Sequence, residues 1–178
     1  MAVEVIDPAA LEAPAVARTT LDLLRSHSID LIALAGYLKL IPPGVVDAYS
    51  GRIVNIHPAL LPAFGGSGMY GGRVHQAVLE SGATVTGPTV HLVNTRYDEG
   101  RIVAQWPVPV LDGDTPGILA ARVLQAEHLL YPLAIEHLLS GSGRSPGKGS
   151  PTQELAFSLE GAALPSAESI RKLFRATS

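Results

Sequence analysis

Two stretches decide the fold: Asp30–Gly36, DLIALAG, and Arg52–Pro58, RIVNIHP. Each is a short apolar run, closed by glycine in one case and by proline in the other. The first reads as a strand buried on both faces of a parallel sheet. The second is a strand over Arg52–Ile56, stopped by Pro58. Between them Pro42–Tyr49 opens with two prolines, a helix start, and Ser50–Gly51 closes it. Upstream, Ala15–His27 carries Val16, Leu21, Leu23 and Leu24 at helical spacing, and Ala2–Ile6 is a candidate strand.

Downstream, Pro58–Gly72 is a loop rich in proline and glycine, and Val74–Glu80 is helical. Ala83–Val93 and Arg101–Val110 are β-rich runs joined by the turn NTRYDEG, Asn94–Gly100. Thr115–Leu139 reads as one long helix, with Asp114 or Thr115 as N-cap and Pro132 as a kink or a split. Strands alternate with helices at first, and then two strands follow in succession. The fold class is therefore α/β, with a mostly parallel sheet and an antiparallel portion late in the chain. Residues 1–139 form the expected domain. Residues 140–149 are a Gly/Ser/Pro linker. Residues 150–178 are a tail with a weak strand pattern near Gln153–Ser158 and a helix near Ser166–Arg175.

Composition narrows the function classes. The chain has 178 residues, 47% of them hydrophobic, which is enough for a core and excludes global disorder. Thirteen Lys+Arg against 16 Asp+Glu leave a net charge of −3, so a nucleic-acid or anionic-membrane partner is not expected. With no cysteine there is no disulfide framework and no thiolate zinc site, which suits a cytoplasmic protein. The start carries Glu4, Asp7 and Glu12 and lacks a basic region, so it does not read as a signal peptide. The apolar run Leu31–Ile41 is broken by Gly36 and Lys39 and is too short to span a bilayer.

Sites in such sheets lie at the carboxyl ends of strands, here Gly36–Ile41, Asn55–Pro62 and Asn94–Gly100. Asn55 and His57 stand at i and i+2, on one face of a strand end. An amide that holds an oxyanion beside an imidazole that moves a proton suits acyl transfer. A histidine before proline can equally be a hydrogen-bonded structural residue. Asp98, in the turn, either bonds its own backbone or meets His57, where it would raise the ring's pKa and keep it protonated near neutrality. Gly66–Gly71 is a literal GxGxxG, but a proline-rich loop leads into it rather than a strand. It reads better as a substrate-covering loop with glycine hinges than as a dinucleotide fingerprint. His75 and His91 make no metal set with His57, and His91 is expected to pack against its neighbours.

DLIALAGYLKLI (Asp30–Ile41), RIVNIHPALLP (Arg52–Pro62), GPTVH (Gly87–His91) and YDEGRIVAQ (Tyr97–Gln105) together closely resemble the phosphoribosylglycinamide formyltransferases. The match runs on through Ala121–Val123, Glu127–His128 and Tyr131–Pro132. The resemblance implies a Rossmann-like formyltransferase fold. It implies formyl transfer from 10-formyltetrahydrofolate, a co-substrate, to the amine of glycinamide ribonucleotide, with no metal. Residue by residue, Asn55 would hold the oxyanion, His57 would be the general acid, and Asp98 would raise its pKa and position a water. Leu38, Lys39, Leu40 and Ile41 would line the folate cleft with Val46 beneath. Pro58 and Glu127 would meet the ribonucleotide, Glu127 at its ribose. By register the chain starts inside the family's nucleotide-binding half, so the N-terminal βαβ part with its phosphate-gripping loop is expected to be missing. Alternatives are another folate-dependent formyltransferase or 10-formyltetrahydrofolate hydrolase, and a non-catalytic folate-binding remnant. An uncovered sheet edge would favour a homo-oligomer.

Overall fold

The computed structural model describes residues 3–6, 12–140 and 168. Among them the chain forms α1 (Ala13–Ser26), β1 (Ile32–Leu34), α2 (Pro43–Ala48), β2 (Ile53–His57), α3 (Gly72–Glu80), β3 (Val85–Thr86), β4 (Thr89–Leu92), β5 (Ile102–Gln105), β6 (Val108–Pro109) and α4 (Pro116–Leu139). The expected linker beyond Ser140, the strand pattern near 153–158 and the helix near 166–175 lie outside the described residues, residue 168 excepted. The candidate strand at the start is not formed over Val3–Ile6. Val3 and Val5 stand 80% and 86% exposed there, so extending them buries nothing.

The main sheet has the order β1-β2-β4-β5. β1 and β2 run parallel, with Leu34 beside Asn55, and α2 is the crossover between them. β2–β4 and β4–β5 are antiparallel. Among the described residues, parallel pairing is thus confined to β1–β2, and the sheet is mixed rather than mostly parallel. The physical reason is the turn Asn94–Gly100, which is too short for a crossover, so β5 must return against β4. β1 also departs from the reading of a strand buried on both faces: Ala33 is exposed and its neighbours are half-buried. Among the described residues it is one of the two edge strands of the sheet, β5 being the other.

Each late β-rich run breaks in two at a proline, Pro88 in one and Pro107 in the other, because proline has no N–H for the ladder. Gly87, with φ +143°, lets its backbone lie directly against the Trp106 carbonyl, where a Cβ would collide. The outer pieces, β3 and β6, pair as a separate two-stranded sheet.

Successive residues of β2 face opposite ways, and this builds the layers. Val54 joins Val90, Ala104, Leu130 and Ala134 under α4, while Ile53 joins Val45, Val46 and Tyr49 under α1 and α2. α4 is one unsplit helix of 24 residues despite Pro132, capped by the Thr115 hydroxyl, which accepts from the Ile118 amide. Its length and composition would let it cross a bilayer. Here, however, Leu119, Val123, Ala126, Leu130 and Ala134 form a buried stripe at helical spacing. Arg122 forks onto Asp114 at 2.6 and 2.7 Å and fixes the start of α4. Farther along, the Tyr131 hydroxyl reaches the carbonyls of Leu34 and Val54 at 2.8 and 3.0 Å, which ties α4 to β1 and β2.

Candidate active site

β2 delivers Asn55 and His57 to its carboxyl end, and Pro58 stops the ladder there. The antiparallel register places His91 of β4 opposite Asn55 and Thr89 opposite His57. Four polar side chains therefore share one face at the middle of the sheet. Thr89 pins the loop that follows. Its hydroxyl donates to the Ala59 carbonyl at 2.6 Å and accepts from the Leu61 amide at 3.0 Å. Gln105 of β5 adds donations to the Leu61 carbonyl and to the Thr89 hydroxyl, both at 2.9 Å. So anchored, the loop returns Phe64 over His57, and the ring donates from Nε2 to the Phe64 carbonyl at 2.9 Å. That bond commits Nε2–H and leaves Nδ1 for proton exchange.

Nδ1 faces Asp98 Oδ2 at 3.6 Å, too long for a direct hydrogen bond but close enough for its field. Asp98 sits at φ +56°, a left-handed conformation that aspartate tolerates, and it accepts the Gly66 amide at 2.9 Å. Its other oxygen lies 3.5 Å from His91 Nε2. Burial by itself would raise the Asp98 pKa, but the His91 ring, the Gly66 amide and His57 outweigh it and hold the carboxyl below its ordinary value.

His57 reverses one expectation. Burial depresses its pKa more than Asp98 and the Phe64 carbonyl raise it, with His91 adding to the depression, so the net shift is downward. Burial removes the solvation of the imidazolium, and a carboxylate beyond hydrogen-bond range does not restore it. The resting ring is therefore neutral near neutrality, not protonated. His75, buried in α3, is depressed likewise, by burial and then by His57.

These groups open on a cavity of about 680 Å³, within the usual size for a small-molecule site. Leu38, Lys39, Leu40 and Ile41 line it, as do Asn55, His57, Pro58, Asp98 and Glu127. Glu127 comes from α4, where burial raises its pKa against a smaller opposing effect of His128. Val46 is not in the lining. It is buried in α2 and packs with Ile41, which is. The Gly66–Gly72 loop forms another wall.

Sequence reasoning assigned no role to Thr89, Gln105 or His91. A signal was present in GPTVH: Thr89 and His91 are polar at i and i+2 of an otherwise apolar strand, the same period that singled out Asn55 and His57. His91 is buried, as expected. Its neighbours, however, are the reactive-looking groups themselves.

A mixed α/β sheet here brings an amide and an imidazole at one strand end together with a carboxylate from a turn beside a small-molecule-sized cavity. The chain belongs to the formyl transferase family, whose sequence profile matches residues 2–135. It is 62% identical over 110 residues to the chloroplastic phosphoribosylglycinamide formyltransferase of Arabidopsis thaliana, covering 62% of this chain and 38% of that protein. It is 39% identical over 144 residues to the phosphoribosylglycinamide formyltransferase of Haemophilus influenzae, covering 81% and 62%. The crystal structure of glycinamide ribonucleotide transformylase 1 from Symbiobacterium toebii superposes with a TM-score of 0.70 at 41% identity, over 77% of this chain and 63% of that one. The fold is thus the Rossmann-like formyltransferase fold. The chain spans 38% to 62% of the length of these two curated relatives.

Proposed function

We propose that the chain carries the active site of a phosphoribosylglycinamide formyltransferase, moving a formyl group from 10-formyltetrahydrofolate to the amine of glycinamide ribonucleotide in purine biosynthesis. The observation that carries this reading is the convergence of Asn55, His57 and Asp98 on one cavity that also holds Leu38–Ile41 and Glu127.

The amine nitrogen attacks the formyl carbon, a C–N bond forms, and the carbonyl oxygen takes the electron pair. An N–H of Asn55 stabilises that oxyanion. The bond from the formyl carbon to the folate nitrogen then breaks. The amine has lost a proton and the folate nitrogen has gained one, so the net event is one proton relayed. His57, neutral at rest, takes it at Nδ1 and hands it on, while Asp98 stabilises the transient imidazolium and positions a water on that side. No step needs a metal. Leu38–Ile41 hold the folate by apolar contact and backbone groups, Val46 supports them from behind, and Pro58 and Glu127 meet the ribonucleotide.

The test is a formyl-transfer assay of this chain with and without the ribonucleotide. Folate release that depends on the ribonucleotide supports the reading. Release that ignores it would point to a hydrolase, and binding without turnover to a folate-binding remnant.

A further inference from the structure

An oxyanion partner built from asparagine has a directional problem. The amide carries a donor nitrogen and an acceptor oxygen on one carbon, and only the nitrogen side can hold an anion. Something must turn the amide the right way before substrate arrives.

We propose that His91 is the positioning residue that sets the amide of Asn55, through a fixed ring tautomer. This deepens the formyl-transfer reading and rests on it for its kinetic consequence. His91 is 2% exposed, so water does not average its hydrogen bonds. Its Nδ1 lies 3.0 Å from the Leu92 carbonyl, which can only accept, so Nδ1 carries the hydrogen. The neutral ring then has its lone pair at Nε2. That nitrogen lies 3.2 Å from Asn55 Nδ2, so the amide donates to it. Turning the amide over would set Oδ1 against the lone pair, two acceptors face to face. The lock spends one Asn55 N–H on His91 and leaves the second for the oxyanion.

The surroundings hold the lock in place. The β2–β4 register sets Asn55 opposite His91, and the β4–β5 ladder shifts register between Val90 and His91. Gly100 has no Cβ where the Leu92 carbonyl lies, so β5 approaches closely and fixes the acceptor. A competing arrangement exists, since Asp98 Oδ1 stands 3.5 Å from the same Nε2. A hydrogen on Nε2 would point to that carboxylate and turn the Asn55 amide around. The Leu92 carbonyl holds a hydrogen on Nδ1 in either case. The choice at Nε2 therefore rests on Asn55 Nδ2 lying nearer, at 3.2 Å against 3.5 Å for Asp98. The lock thus withholds from Asp98 a hydrogen bond that a hydrogen on Nε2 would supply.

Two variants separate the structural bond from the lock. His91→Asn keeps a donor near the Nδ1 position and loses the acceptor at Nε2. His91→Gln puts an amide near the Nε2 position and loses the bond to Leu92. In the first arm, side-chain ¹H–¹⁵N spectra of the unsubstituted chain, with the His91 signals identified by their loss in His91→Gln, read the tautomer. Hydrogen on Nδ1 with a bare Nε2 is expected, and a hydrogen on Nε2 overturns the proposal. In the second arm, formyl transfer is compared at a temperature where all three proteins are folded. The expected result is that kcat falls about 10²-fold in His91→Asn. His91→Gln should run at least about tenfold faster than that, with KM for folate shifting less than about threefold in either. Full activity in His91→Asn, or equal losses in both, overturns the lock. If the unsubstituted chain transfers no formyl group, the formyl-transfer reading falls, while the tautomer arm still decides the lock.

Discussion

Replacing Thr89 by valine removes three hydrogen bonds from the centre of the site while keeping its shape. Thr89 is fully buried. Its hydroxyl donates to Ala59 and accepts from Leu61 and Gln105. Valine fills the same volume, so no cavity opens. Gln105 keeps its bond to the Leu61 carbonyl. The loss therefore falls on two buried backbone groups, the Ala59 carbonyl and the Leu61 amide. A buried group left unpaired costs about 1–3 kcal/mol, so the pair costs about 2–6 kcal/mol. That is a large share of the roughly 5–15 kcal/mol that holds a domain together. At about 2–4 °C per kcal/mol for a chain of this size, the unfolding midpoint should drop by about 4–24 °C. Thr89→Ser keeps the hydroxyl and should recover most of it. Urea unfolding followed by circular dichroism measures both variants. Turnover should fall more than stability does at a temperature where the protein is folded, because the same loop sets the Phe64 carbonyl against His57. Thr89→Val within about 0.5 kcal/mol of the unsubstituted chain would refute the reasoning, since that is the scale of an inert surface change.

Asn55→Ala and Asp98→Asn should each lower formyl-transfer turnover by about 10² or more, as loss of an oxyanion donor or of its charge support does. Near-normal rates in either would remove that residue from the chemistry. Stability should fall as the pH drops below 6.5. His57 and His75 have depressed folded values, so the unfolded chain binds more protons there and gains ground. The depressed carboxyls of Asp98 and Asp114 add a further loss below 3.8. A urea midpoint that holds or rises between pH 7.5 and 5.5 would contradict this, and His57→Gln should flatten the slope. Gly100→Ala drives a methyl into the Leu92 carbonyl and should destabilise by about 1–3 kcal/mol, as overpacking does. An alanine variant as stable as the parent would show that β5 has room to move.

Much of the fold was legible in local pattern. α1, α2, α3 and α4 fall within a few residues of their expected spans because apolar spacing and proline or glycine boundaries act locally. The strand end bearing Asn55 and His57 was legible for the same reason, as period-two alternation stopped by Pro58. The breaks at Pro88 and Pro107 were less so. A proline ends a ladder only if the neighbouring strand needed its N–H, and that neighbour is set by tertiary pairing. The exposure of Ala33 is of the same kind: an apolar run states that a strand can be buried, not what will cover it.

Local residue order specifies the set of elements, the polar residues at strand ends and the family pattern they compose. What those residues meet is set by the packing of the strands. His91 and Asn55 are separated by 36 positions and become partners solely through the β2–β4 register. The direction of the His57 shift was decided there too. A sequence places an acid and a histidine in one motif, yet the sign depends on a distance of 3.6 Å set against the desolvation of a buried ring. Solvation and distance are properties of the packed chain, and at this site they outweigh the attraction of opposite charges.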